Sequence, residues 1–219
     1  MTDTPDRSLW AGRTLALLGI LFVAANLRTA VAALSPIVAE VGVDIPLGAL
    51  AIGVLGMLPP VCFTVLGILT PVFTRRVGLE NVLVVSLVAI SVGHLTRGLS
   101  GSLAWLLMGS VIAFAGLGVG NVLLPPLVKK YFPDRVGIVT SLYVTVVSFS
   151  TLVPPLVAVP VADAVGWRIS LGMWTFLAMF ALVPWVTMLA RHRTSIVSSP
   201  VVETAEPAIL GRIWRSSIA

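Results

Sequence analysis

Apolar residues gather in six long runs along the chain, separated by short breaks that are polar or marked by Gly and Pro. The runs extend from Thr14 to Ile37, Leu47 to Phe73, Asn81 to Leu99, Leu103 to Val128, Val136 to Val161, and Trp167 to Ala190. The breaks are Glu40 to Pro46, Thr74 to Glu80, Ser100 to Ser102, Lys129 to Arg135, and Ala162 to Gly166. A bilayer core is about 30 Å thick and needs roughly 20 mostly apolar helical residues to cross it, so each run is long enough. In lipid the backbone must satisfy its own hydrogen bonds, so such runs predict helices. A membrane β-barrel would alternate apolar and polar residues over about ten positions. Val82 to Val92 and Leu171 to Val183 are instead almost continuously apolar. Arg13 ahead of a run ending in Ala24-Ala25 has the look of a signal peptide, but the run continues past Asn26 and Arg28, and five more follow. The expectation is an all-α membrane protein: a six-helix transmembrane bundle over residues 14–190, a short N-terminal segment at 1–13, and a linker or tail at 191–219.

Composition sharpens this class. Of 219 residues, 58% are hydrophobic and 11% charged, and the mean hydropathy is +1.06. A soluble domain carries about a quarter charged residues, so a water-soluble globule, a disordered tail and a disulfide scaffold are all excluded. A single cysteine, Cys62, forms no intramolecular disulfide and reads as an inert core thiol. His94 and His192 lie too far apart in sequence for a dense metal cluster, and no cofactor motif occurs. Neither G-x-S-x-G nor H-E-x-x-H is present, so no enzyme is indicated.

The net charge of +5 would suggest nucleic acid in a soluble chain. Its placement says otherwise. With the N-terminus inside, the inner segments hold Arg7, Arg13, Arg75, Arg76, Lys129, Lys130, Arg135, Arg191, Arg193, Arg212 and Arg215. The outer loops hold Arg97 and Arg168, and Arg28 remains within the membrane. Cytoplasmic loops carry the excess of Lys and Arg, so both termini are expected in the cytoplasm and no nucleic-acid partner is needed. The tail from Thr194 to Ala219 reads as a cytoplasmic linker that stops on the approach to a seventh helix.

Arg28 is the most informative position. At 1.5 Å per residue it lies about 21 Å into the first helix, slightly past the midplane. An arginine there costs at least about 2.5–3.5 kcal/mol and must face protein or a water-filled cavity. Its planar fork suits a carboxylate or another oxyanion; the alternative is a structural pairing with helix carbonyls. Asn26 and Thr29 lie close enough to flank the same cavity. In the fourth run, Gly116-x-x-x-Gly120 is a close-packing pattern, while Asn121 either bridges helices or meets a substrate. In the fifth, Ser141, Thr145 and Ser148 share a face that either lines an aqueous path or bonds between helices, and Tyr143 adds a ring and a hydroxyl. The substrate-binding candidates are thus Arg28, Asn26, Asn121, Tyr143 and Thr145. The pairs Pro59-Pro60, Pro125-Pro126 and Pro154-Pro155 predict helix bends. His94 reads as interfacial. Helices three and six, poor in polar residues, are expected to face lipid while one, four and five border the cavity.

Several segments carry a family resemblance: Asn26-Leu27-Arg28, Arg76-Val77-Gly78-Leu79-Glu80, Gly120-Asn121-Val122-Leu123-Leu124-Pro125 through Lys129-Lys130-Tyr131-Phe132-Pro133, Gly137 through Tyr143, and Gly166-Trp167-Arg168. On these the chain resembles the N-terminal half of a major facilitator superfamily transporter, of the cyanate/2-nitroimidazole permease family. The resemblance implies one of two six-helix halves with a substrate site between them, an anionic or strongly polar small substrate at Arg28, and a missing or separate C-terminal half as partner. The superfamily's loop signature is degenerate, since only Arg76 and Gly78 match and Arg75 stands where an acidic residue is usual. The arginine common in helix four of proton-driven members is absent near Ile112. Two functions follow as expectations: secondary-active transport of a small cyanate-like or nitroimidazole-like solute across the inner membrane, or a non-transporting remnant or assembly subunit.

Overall fold

A computed structural model describes residues 13–197, with side chains described from Arg13 to Ala190. The segments 1–12 and 198–219, and with them the N-terminal and tail expectations, lie outside the described residues. Long helices dominate: α1 (Thr14–Asn26), α2 (Thr29–Ala32), α3 (Val38–Asp44), α4 (Ala49–Val77), α5 (Leu79–Gly98), α6 (Leu103–Tyr131), α7 (Val136–Val165), α8 (Trp167–Gly172) and α9 (Trp174–Val197). Six stretches are long and apolar enough to cross a membrane, and the first of them, Thr14–Asp44, comprises α1, α2, a 3-10 turn at Ser35–Ile37, and α3. The bundle is the unit that ends at Met188; the described part of the second unit, residues 189–197, is helical.

The breaks between helices are shorter than the polar pattern suggests. Glu40 to Asp44, expected in a turn, is helical, and α6 and α7 run on to Tyr131 and Val165. Gly78 alone separates α4 from α5, and Gly166 alone separates α7 from α8. Both have positive φ, at 87° and 93°, a region where a Cβ is strained. Gly78→Ala and Gly166→Ala are each expected to destabilise the bundle by about 1–3 kcal/mol, the cost of a side chain in a positive-φ, extended backbone region that only glycine adopts readily, measurable as a lower unfolding midpoint in detergent. At the other connection, the Ser102 hydroxyl caps α6 by accepting the Trp105 N–H at 3.5 Å.

The first span is not one helix. It is interrupted at Leu27–Arg28 and again at Ala33–Leu34. Pro36 explains the second interruption, since it has no N–H for the preceding turn and disfavours helix in the residue before it. The three proline pairs behave oppositely: all remain inside the continuous helices α4, α6 and α7.

The fourth span is the most enclosed, with 61% of its most apolar stretch buried. The main core joins Ile20 and Val23 of α1 with Leu87 and Ile90 of α5, Phe114 and Leu117 of α6, and Trp185 of α9. A smaller cluster around Ile37, Val41, Leu106 and Leu171 closes the opposite end. Two spans sit outermost. Only 11% of the most apolar stretch of α4 and of α7 is buried, against 39% and 33% for the third and sixth spans. The helices expected to be most exposed are therefore better covered than α4 and α7. Phe176, Met179, Phe180 and Val183 of α9 do point outward, yet Ala178, Ala181 and Trp185 on its other face are in the core. The apolar surface of α4 is displayed by Leu50, Met57 and Ile68, all more than half exposed.

Small residues set the closest approach. A Cβ on Gly116 of α6 would lie 2.6 Å from the Ser86 carbonyl oxygen of α5, and one on Gly93 of α5 would lie 2.5 Å from the Ala113 nitrogen of α6. Gly120 meets a different partner, Leu27 of the first span, at 3.1 Å. Gly116-x-x-x-Gly120 is thus a close-packing pattern as expected, but its two glycines serve two neighbours.

Candidate functional site

Arg28 stands at the first interruption, between α1 and α2, with its side chain half-buried. It borders a concavity of about 400 Å³ that it shares with Val31, Ala32, Ser35 and Pro36 of the first span and Thr151 and Pro155 of α7. Among the described residues the guanidinium has no hydrogen bond and no ion pair. Its five N–H groups therefore face an open, mostly apolar hollow with hydroxyls at Ser35 and Thr151.

The other sequence candidates separate. Asn26 and Thr29 are fully buried and turn away from this hollow. Asn26 donates from Nδ2 to the Phe22 carbonyl at 2.8 Å and to the Leu177 carbonyl of α9 at 3.4 Å, so it ties the first span to the sixth. Asn121 is half-buried and donates to the Leu117 carbonyl one turn earlier at 3.0 Å, bonding within its own helix. Tyr143 is half-buried against the main core. Thr145 is exposed on α7 and donates to the Ser141 carbonyl at 2.9 Å; Ser148 does the same to Val144 at 3.1 Å. These hydroxyls satisfy themselves within the helix, yet they form a polar stripe on one of the two least covered helices.

Thr151, which shares the hollow with Arg28, extends that stripe. It lies three residues after Ser148, so the spacing of Ser141, Thr145 and Ser148 already contained it. Ser35 likewise follows Arg28 by seven residues, two helical turns along, and escapes notice only because the run looked unbroken.

The larger surprise lies behind the interruption. Arg97, read from sequence as an outer-loop residue, is fully buried in the last turn of α5. His94, read as interfacial, is also fully buried, one turn before it. Arg97 donates from Nη1 to the Ala30 carbonyl at 2.9 Å, and its guanidinium lies 5.8 Å from the centre of the Phe114 ring. His94 Nε2 is 3.4 Å from the Thr29 hydroxyl, which donates to the Asn26 carbonyl at 2.8 Å. Both residues were missed because they sit at the end of an apolar run, where length alone does not tell helix from loop.

Charged residues otherwise collect at the two ends of the bundle. At one end Glu80 of α5 accepts from Lys130 and, at 2.7 Å, from the Tyr131 hydroxyl of α6. Arg13 pairs there with Asp134, and that hydrogen bond holds the Asp134 carboxyl below the usual carboxylate range. At the other end Asp44 accepts from Arg168 at 2.6 Å and from the Trp167 indole at 3.0 Å. Arg168 also reaches the Ser100 carbonyl at 3.2 Å. The two motif segments around Glu80 and Trp167-Arg168 thus fasten opposite ends of the same bundle. Such exposed pairs are each worth about 0–1 kcal/mol, so they set register more than stability. Among the described residues no group of His, Cys, Asp and Glu has the makings of a metal site.

No family model matches the chain. Curated relatives do. The chain is 34% identical over 203 residues to an uncharacterised transporter of Bacillus subtilis, YycB, covering 92% of this chain and 48% of that protein. It is 28% identical over 209 residues to the 2-nitroimidazole transporter of Escherichia coli, covering 94% and 51%. It is 24% identical over 201 residues to the cyanate transport protein CynX of Escherichia coli, covering 89% and 52%. The chain spans about half the length of the curated relatives it matches, as a six-helix half implies.

Proposed function

We propose that this chain, which belongs with the bacterial transporters it matches over half their length, supplies the N-terminal six-helix half of a secondary-active transporter for a small anionic or strongly polar solute. Membrane transport of some solute is what the relatives have in common, and none of them is an enzyme. The observation that carries the solute class is Arg28: an arginine deep in the first span, half-buried, without a partner among the described residues, at the edge of a hollow. A guanidinium in a membrane interior needs a counter-group, and an oxyanion bound in its fork is the simplest one. Thr151 and Ser35 supply hydroxyls to the same hollow, and the stripe of Thr145 and Ser148 extends toward the remaining face of α7. Asn121 and Tyr143 belong to the outlying part of this site, and Asn26 holds the first span from behind.

The second half packs against α4 and α7, the two spans with the least burial, and closes the hollow into a site between halves. The relatives' names make cyanate and 2-nitroimidazole the first solutes to test. The chain, expressed with a second six-helix half, is expected to take up one or both into cells or proteoliposomes. Absence of uptake with every second half tried, from protein shown to be in the membrane, would favour a non-transporting subunit.

In this reading the bundle lies in the inner membrane with both termini in the cytoplasm, an orientation supported by the gathering of its basic residues on one side. In a Cys62→Ser background, Lys129→Cys is expected to react with a membrane-impermeant thiol reagent only after the cytoplasmic side is opened. Labelling of intact cells would reverse the topology.

A further inference from the structure

We propose that Arg97 is a positioning residue, which holds the interrupted first span by its Ala30 carbonyl and thereby fixes where Arg28 stands. The idea deepens the transport reading above, since it makes the geometry of the Arg28 site depend on a residue that never meets the solute.

An interrupted helix frees carbonyls, and in a membrane interior these must find donors. One is freed here. In a continuous helix the Ala30 carbonyl would accept from the Leu34 N–H; that bond is not made. Arg97 Nη1 takes its place, and one turn earlier the Thr29 hydroxyl donates to the Asn26 carbonyl. Arg28 lies between these two carbonyls in sequence. Its own carbonyl accepts from Ala32 and that of Thr29 accepts from Ala33, both at 2.9 Å, the two backbone bonds that define α2. So short a helix has little stability of its own. Its position is set from outside, by Arg97 at one end and by Thr29, with His94 behind it, at the other.

Arg97 is built for such a task. Its side chain is fully buried, and it passes over Gly109 of α6, where a Cβ would come within 3.0 Å of Arg97 Cγ. Phe114 borders its guanidinium. The side chain is therefore confined between α5 and α6, the most closely packed pair, and reaches out from that rigid seam to the least regular part of the bundle. No carboxylate pairs with it among the described residues, and the Ala30 carbonyl is the oxygen it bonds. A buried arginine that neutralises no charge and binds one freed carbonyl acts as a donor for the backbone.

The test uses the full chain in lipid nanodiscs, with Arg97→Met removing the donor and Arg97→Lys keeping one. Two quantities are read by mass spectrometry: amide hydrogen exchange over residues 29–37, and the rate at which phenylglyoxal modifies Arg28, with Arg168 as internal control. Arg97→Met is expected to raise the exchange of the Ala32 and Ala33 amides roughly tenfold or more, the scale of losing a hydrogen bond to a charged group, and to change the Arg28 rate at least about threefold. Arg97→Lys is expected to stay within about twofold of the unaltered chain on both, because an ammonium still donates. Should Arg97→Met fail to fold, Arg97→Leu takes its place, since it too lacks a donor, with the same outcome expected. Unchanged exchange, raised exchange with an unchanged Arg28 rate, or equal effects of the methionine and lysine variants would each overturn the proposal. Protection of Arg28 from phenylglyoxal by cyanate is a separate arm: its absence in the unaltered chain counts against the anion site and leaves the Arg97 result standing.

Discussion

Arg28→Ala is expected to lower the affinity of a two-half transporter for an anionic solute by roughly a hundredfold, and Arg28→Lys by roughly tenfold, on the scale of one to two hydrogen bonds to a charged group. The order of these losses is the informative part. Alanine removes both the charge and the fork. Lysine keeps the charge but presents it as a point with no planar pair of donors, so a bidentate contact is lost while attraction remains. Arg28 is the suitable residue because it lacks a competing partner among the described residues and is half-exposed to a hollow rather than packed. Arg97, by contrast, is fully buried and bonded to Ala30, so its replacement should act on the shape of the first span. The measurement is concentration-dependent uptake in proteoliposomes matched for protein content. Equal affinities for the unaltered protein and Arg28→Ala would make Arg28 a structural residue, and equal losses for alanine and lysine would remove the fork from the argument.

What the residue pattern reveals about this bundle follows from what lipid demands. Length and apolarity are enough to give six spans, because a bilayer tests those two properties directly. They do not tell which span is enclosed. In lipid both faces of a helix are apolar, so Phe180 facing outward and Ala181 facing the core look alike in sequence, and the least covered spans proved to be α4 and α7. Nor do they reveal where a helix breaks. The interruption at Leu27–Arg28 has no proline, while the three proline pairs sit in unbroken helices. The break is legible only through partners far away in sequence: Arg97, 67 residues beyond Ala30, supplies the donor that the Ala30 carbonyl lacks, and His94 meets the Thr29 hydroxyl. The same limit applied to Asn26, whose amide spans to Leu177 of α9. Arg28 stands out in the sequence because a charge inside a membrane has few bland explanations, and Thr151, which borders the same hollow, is grouped with Ser148 by helical spacing.

The seam between α5 and α6 should be the least forgiving part of the molecule, and Gly93→Ala the most damaging single methyl. The two helices run antiparallel, and their small residues face each other in register. Gly109 and Gly116 on α6 are two turns apart, and so are Gly93 and Ser86 on α5. A Cβ on Gly116 meets the Ser86 carbonyl, while one on Gly109 meets the Gly93 carbonyl at 3.0 Å. At Gly93 the intruding methyl would find backbone, the Ala113 nitrogen at 2.5 Å and its Cα at 2.7 Å. Backbone in the middle of a packed helix has no rotamer to change, so the helices must part. Overpacking of this kind costs about 1–3 kcal/mol, and separation of the seam also moves the support of Arg97, whose Cγ rests on Gly109. Gly53→Ala on α4 is the matched control: nothing lies within 4 Å of its Cβ, and exchanging glycine for alanine inside a helix favours the helix by about 0.5–1 kcal/mol. Unfolding of the purified chain in mixed micelles with increasing SDS should therefore shift to lower denaturant for Gly93→Ala and Gly116→Ala, and stay level or rise for Gly53→Ala. If Gly93→Ala unfolds with the unaltered protein, the α5–α6 approach is looser than this packing requires, and the rigid base attributed to Arg97 goes with it.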